Sequence, residues 1–235
     1  RSVDIVEGRI KVIAGTGANS TKEAVYLTNS AKSAGSDAAL LVTPYYNKPT
    51  QEGLFRHYMQ VADEVDLPQI LYNVPSRTGC DLQNETVLRL IEHENIVGLK
   101  DATGDLKRQE DLLEELNKNR SEDFSLYSGD DPTATSFILN GGVGTISVTA
   151  NIVPKIISEI CELAFEGKSD EALDLDSKLK ELNEILFIES NPIPIKWMLN
   201  RIGRITEGLR LPLCSLDEAH HFSAEKVLKD LKLLN

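Results

Sequence analysis

Residues 69–100 read QILYNVPSRTGCDLQNETVLRLIEHENIVGLK, and this stretch decides the fold. It opens (69–74) and closes (96–100) with short runs rich in Ile, Leu and Val that show no polar alternation. Runs of this kind suit strands covered on both faces, as in a parallel sheet with helices above and below. Between them, residues 85–92 carry apolar side chains at helical spacing behind Asn84, which can open a helix. Strand, crossover helix and parallel strand make one βαβ unit. The pattern repeats outward. Runs at 11–14, 38–43, 124–128 and 143–148 predict four further strands. Successive starts lie roughly 20 to 31 residues apart, the length of one strand, loop and helix. Helical spacing predicts helices over 21–33, 52–65, 106–119 and 132–140. After Asn151 no strand is predicted, and helical stretches follow at 154–165, 169–187, 192–202 and 216–234.

Six parallel strands fit either a doubly wound open sheet or a β/α barrel. Gly15-Thr16-Gly17 lacks the third glycine of a dinucleotide fingerprint and supports the first weakly. Polar and reactive residues close every later run: Thr43 with Tyr45 and Tyr46, Tyr72-Asn73, Lys100-Asp101, Ser128-Gly129-Asp130, and Ser147. The C-terminal strand ends are where barrels keep their chemistry, so the barrel is favoured, although a closed one needs eight strands.

The chain has 235 residues, 41% apolar and 26% charged, and 25 basic against 37 acidic residues give a net charge of −12. Binding a nucleic-acid backbone takes clustered Lys and Arg, so no nucleic-acid partner is expected; a small anion needs only one or two local cations. The longest apolar stretches, such as 38–42, are far too short to span a membrane, and the opening RSVDIVEG lacks the apolar region of a secretion signal. Cys80, Cys161 and Cys214 are odd in number and without CxxC spacing. They fit a reducing cytoplasm and neither a disulfide framework nor a zinc site.

Lys100 is the most informative residue. It ends a buried run, where an ammonium is costly unless neutralised or paired. Desolvation favours the free amine, which can attack a carbonyl and form a Schiff base. The plainer readings are a lysine that snorkels at a strand end or pairs with Asp101. Tyr72, late in its own run, is a phenol that could move protons at such an imine, or a packing residue. Arg77, in the loop beyond, could clamp a carboxylate through two parallel hydrogen bonds, or simply be solvated. Tyr45 and Tyr46 are adjacent and in extended chain point to opposite sides. His57, His93, His220 and His221 are scattered without metal spacing. Asp130-Asp131 precedes Pro132 and reads as a helix cap rather than a cation site. Lys196 sits in a predicted helix start and reads as structural.

Seven segments together resemble one family. They are VIAGTGAN (12–19), LLVTPYYNKPTQEGL (40–54), QILYNVPSRTGCDL (69–82), GLKDATGD (98–105), SGDD (128–131), GTISVTAN (144–151) and NPIPIKW (191–197). From residue 11 onward the chain resembles the dihydrodipicolinate synthases, a family of pyruvate-dependent class I aldolases. The arginine in YNVPSRTG distinguishes these from the related sialic-acid lyases and sugar-acid aldolases. The resemblance implies a (β/α)8 TIM-type barrel over 1–166 and a helical C-terminal region over 167–235. It implies condensation of pyruvate with L-aspartate 4-semialdehyde on the route to lysine, in the cytoplasm, by a homodimer or homotetramer.

By the same resemblance Lys100 forms the imine with pyruvate, Tyr72 is its acid–base phenol, and Tyr46 completes a proton relay across a dimer interface. Arg77 receives the semialdehyde carboxylate, and the backbone at Gly129 and Ile146 lines the pyruvate pocket. Asn19, Glu23 and Tyr45 match part of a lysine effector site. The protonated imine is itself the electron sink, so neither metal nor cofactor is expected. The family also has a segment ahead of this start that supplies two strands and a Gly-Thr-Thr-Gly-Glu loop, with no counterpart here. The expectation is therefore a barrel missing its first two β/α units, with two unpaired edges. This leaves two alternatives: a catalytically impaired truncated form, or a pyruvate aldolase for another aldehyde, against which Arg77 argues.

Overall fold

The structure, a computed structural model, describes residues 1–118 and 123–234. The last residue of the helix predicted over 106–119 lies outside these. The chain divides into two compact units, Arg1–Asp130 with Asn140–Thr145, and Asp131–Leu139 with Ile146–Asn235. Asp131–Leu139 and the segment from Ile146 onward group with the C-terminal helices.

The first unit holds six strands: β1 (Ile13–Gly15), β2 (Ala38–Val42), β3 (Gln69–Asn73), β4 (Ile96–Asp101), β5 (Ser125–Ser128) and β6 (Gly144–Thr145). All pair in parallel and in strict chain order, β1 to β6. A doubly wound sheet reverses its strand order at a switch point. This sheet has no reversal, and its order is that of consecutive units of a β/α barrel. Its helices are α1 (Ser2–Val6), α2 (Thr21–Ser33), α3 (Gln51–Glu64), the single turn α4 (Pro75–Thr78), α5 (Asn84–Leu90) and α6 (Leu106–Lys118). Thr50 caps α3, its side chain accepting from the Gly53 amide at 3.2 Å.

Register builds the unit in rungs. Leu41, Leu71, Leu99 and Leu126 are mutual neighbours across β2 to β5, and all four are buried. The next rung is Val42, Tyr72, Lys100, Tyr127 and Gly144, and the one after is Asn73, Asp101, Ser128 and Thr145. Successive strand residues face opposite sides of a sheet. The leucine rung and the Asn73–Asp101 rung therefore share one face, and Tyr72 and Lys100 stand on the other.

The second unit is helical: α7 (Ala134–Leu139), α8 (Pro154–Phe165), α9 (Ser169–Ser177), α10 (Lys180–Ile185), α11 (Ile193–Arg201) and α12 (Glu218–Asp230). Leu179, Leu182, Leu186, Met198, Ala224 and Leu228 anchor its core, and Trp197 stacks on His221 with ring centres 4.5 Å apart.

For three predicted elements a local contact explains the difference. The helix over 169–187 is two helices. At the break, the Leu179 amide bonds the carbonyl three residues back, Asp176, at 2.8 Å, and this tightening accompanies burial of the Leu179 side chain. The strand over 143–148 keeps only Gly144–Thr145. Beyond it, the amides of Val148 and Thr149 donate to Asp131 Oδ2 at 2.9 and 3.2 Å, so a carboxylate replaces the sheet ladder. Asp131 thus ties down a distant turn, in addition to opening the 3-10 turn Asp131–Thr133. The strand over 11–14 is shifted to Ile13–Gly15 because the Val12 amide bonds Asp37 Oδ2 at 2.8 Å.

Candidate active site

Lys100 is the fifth residue of the buried strand β4, only 9% exposed. Its register neighbour on β3 is Tyr72, and Lys100 Nζ stands 4.1 Å from the centre of the Tyr72 ring. Burial raises the Tyr72 phenol above its ordinary value of 10, and the positive charge of Arg77 opposes that rise. The phenol is thus a proton donor near neutral pH. Arg77 itself is exposed, in the last turn of α4. That turn ends at Gly79, whose φ of 70° is a left-handed conformation suited to glycine.

Gly129 follows β5 and is held on both sides. Its amide donates to the Asp101 carbonyl at 2.7 Å, and Ser128 Oγ closes a turn over it by accepting from the Asp130 amide at 3.2 Å. A Cβ at Gly129 would stand 2.6 Å from Lys100 Cε and 2.9 Å from Ala102 Cβ. Glycine is what leaves room for the lysine side chain. The structure therefore brings Lys100, Tyr72 and Gly129 together, with Arg77 close enough to act electrostatically on Tyr72.

The remaining candidates lie on other loops, and the Tyr46 amide donates to the Thr78 carbonyl at 3.3 Å. Tyr45 and Tyr46 follow β2 on an exposed loop, at 42% and 89% exposure. Tyr46 has a φ of 75°, so the pair is not the extended dipeptide the sequence suggested. This loop reaches the one carrying Asn19: Asn47 Nδ2 donates to the Asn19 carbonyl at 2.9 Å. Glu23 lies in the first turn of α2, exposed, and Tyr26 one turn on is 71% exposed. Ile146 is half-buried and begins the second unit's long segment.

Sequence reading missed the polar layer behind the lysine. Asp101 is buried, and its carboxylate meets Asn73 Nδ2 at 3.4 Å, the Thr103 amide at 3.1 Å, Thr103 Oγ1 at 3.0 Å and Arg108 Nε at 3.5 Å. Burial still raises its pKa above the usual carboxylate value, against the lowering by Arg108, Thr103 and Asn73. Tyr127, beside Lys100 in register, was also passed over. Their positions at strand ends were visible; their partners, distant in sequence, were not.

Among the described residues, no group of three or more His, Cys, Asp or Glu is placed to hold a metal ion, and no helix is long and apolar enough to cross a membrane. Cys80, Cys161 and Cys214 are all free thiols. A buried amine against a protonated phenol can form and protonate an imine with a small ketone.

Several known proteins are similar to this chain in sequence and fold. The chain is similar to the 4-hydroxy-tetrahydrodipicolinate synthase of Pseudomonas savastanoi pv. phaseolicola, 55% identical over 234 residues, which are 100% of this chain and 79% of that protein. A solved structure of the chloride-inhibited dihydrodipicolinate synthase from Acinetobacter baumannii, complexed with pyruvate, matches with a TM-score of 0.95 and 53% identity over 99% of this chain and 78% of its own. The synthase from Cyanidioschyzon merolae with lysine bound matches with a TM-score of 0.90 and 36% identity, over 95% and 75% of the two chains. On a family match that runs over residues 1–231, the chain belongs to the dihydrodipicolinate synthetase family.

Proposed function

We propose that this chain condenses pyruvate with L-aspartate 4-semialdehyde, through a Schiff base on Lys100, to give 4-hydroxy-tetrahydrodipicolinate for lysine (diaminopimelate) biosynthesis. The observation that carries the reading is the buried Lys100 amine 4.1 Å from the Tyr72 ring centre. The Lys100 amine attacks the ketone carbon of pyruvate, and the carbinolamine loses water with a proton supplied by Tyr72. The Tyr72 phenolate left by that step takes a methyl proton to give an enamine, whose carbon adds to the aldehyde while Tyr72 returns the proton to the new alkoxide. The amine of the semialdehyde displaces Lys100 as the ring closes and the free lysine is restored. Gly129 gives the pyruvate-bearing side chain its space, and Arg77 holds the semialdehyde carboxylate. Tyr46 reaches across a dimer interface and completes the proton relay of the neighbouring site.

The assignment includes more than the chemistry. Asn19, Glu23 and Tyr45 form part of an L-lysine effector site, a reading supported by the Asn47–Asn19 bond that joins their two loops and by the lysine-bound relative. The working form is a cytoplasmic homodimer or homotetramer that uses no cofactor. The six strands are six of the eight of a (β/α)8 barrel, in keeping with their all-parallel sequential order.

Arg77→Ala separates the two half-reactions. It should raise the KM for the semialdehyde about tenfold or more while borohydride trapping of the pyruvate imine changes by less than about threefold. Equal loss in both would refute the role of Arg77 and favour a different aldehyde.

A further inference from the structure

Two neighbouring βα loops meet on one guanidinium. The first, after β3, carries Arg77 and returns through Asp81 and Leu82. Asn73, at the end of β3, closes its base: Nδ2 donates to Asp81 Oδ1 at 2.9 Å, and Oδ1 accepts from the Leu82 amide at 2.9 Å. The second loop, after β4, begins at Asp101, next to Lys100. Arg108, near the start of α6, reaches both. Its Nη1 donates to Asp81 Oδ2 at 3.0 Å, its Nη2 donates to the Leu82 carbonyl, and its Nε lies 3.5 Å from Asp101 Oδ2. Arg108 is itself held in place: Asp105 Oδ1 accepts from its amide at 3.1 Å, and its carbonyl accepts from Asn84 Nδ2 at 3.0 Å. Its side chain and that of Asp101 are largely buried, while Asp81 stands partly in solvent.

We propose that Arg108 is a positioning residue for the second substrate. It fixes the loop that carries Arg77 relative to the strand end that carries Lys100, so that the carboxylate-bearing aldehyde meets the enamine in one geometry. The inference rests on the function proposed above and deepens it. Arg108 acts through Asp81, Leu82 and Asp101, not on substrate. Only a planar fork of donors can bond the Asp81 carboxylate and the Leu82 carbonyl while its charge also faces Asp101; a lysine keeps the charge and loses the fork.

Arg108→Lys, Arg77→Ala and the double variant test this, with steady-state kinetics in both substrates and borohydride trapping of pyruvate. Small displacements of a positioning group carry large kinetic effects, so Arg108→Lys should raise the semialdehyde KM about tenfold. The pyruvate KM and imine trapping should stay within about twofold. In the Arg77→Ala background the same substitution should add nothing to the aldehyde KM, because no guanidinium remains to be misplaced. A merely structural Arg108 would shift both substrates together and act additively; either result, or an unchanged aldehyde KM, overturns the proposal. If Arg77→Ala raises that KM and Arg108→Lys does not, this inference alone fails. If Arg77→Ala leaves it unchanged, the underlying assignment fails and takes the inference with it. Should Arg108→Lys not fold, Asp81→Asn removes one arm of the network without changing shape and carries the same prediction.

Discussion

Gly129 is the residue where sequence, space and chemistry meet most tightly. Its missing side chain is occupied by Lys100, whose Cε would lie 2.6 Å from an added Cβ. Gly129→Ala must push the lysine aside or move the turn held by Ser128. The expected result is a folded protein, destabilised by about 1–3 kcal/mol as for other overpacked sites, in which pyruvate trapping slows about tenfold or more. Trapping at the unaltered rate would mean that Lys100 does not use this space. The chemistry-bearing residues were legible to different degrees. Lys100 and Tyr72 stood out because each closes an apolar run. Asp101 and Asn73 were equally visible as letters, but their meaning lies in Asp81, Thr103 and Arg108, which only the folded loops bring within reach. Tyr46 was legible as a residue and misread as conformation, since a left-handed φ at a tyrosine leaves no mark in the sequence.

At the scale of elements, the α2–α3 pair holds a titratable group away from water. His57 on α3 is buried, its Nδ1 hydrogen-bonded to Thr21 Oγ1 at 2.9 Å while its Nε2 has no hydrogen-bond partner. Burial lowers its pKa from 6.5 to about 4. Between those two values the unfolded chain binds a proton that the folded chain refuses, so stability falls as pH falls through that window. From pH 7 to pH 5 the wild type should lose about 2 kcal/mol more than His57→Gln, measured by urea unfolding. Equal losses would show that His57 is not the group responsible. The elements themselves were read well where apolar spacing and burial agree: α2 and α8 have the predicted bounds, Thr21–Ser33 and Pro154–Phe165. The two misread strands share one cause. At Val12, Val148 and Thr149 a side-chain carboxylate takes the backbone amides that a ladder would otherwise use, and apolar periodicity does not report such substitutions.

For the whole molecule, the repeat of strand and helix was legible but the strand order was not, because a doubly wound sheet and a barrel share the same repeat. The polar residues at the strand ends argued for the barrel, and the unbroken order β1 to β6 agrees with it. The order matters to function: it puts Tyr72, Lys100 and Tyr127 on one rung, on adjacent strands. An anionic chain of net charge −12 can still bind a small anion, because one exposed guanidinium, Arg77, lies just beyond the end of β3. The central claim is that Lys100 forms the imine, and its most direct test is intact mass before and after pyruvate with borohydride, followed by peptide mapping. A single reduced adduct of about 72 Da, mapped to Lys100 and absent from Lys100→Ala, is the predicted result. No adduct, or one that persists in Lys100→Ala, would contradict it.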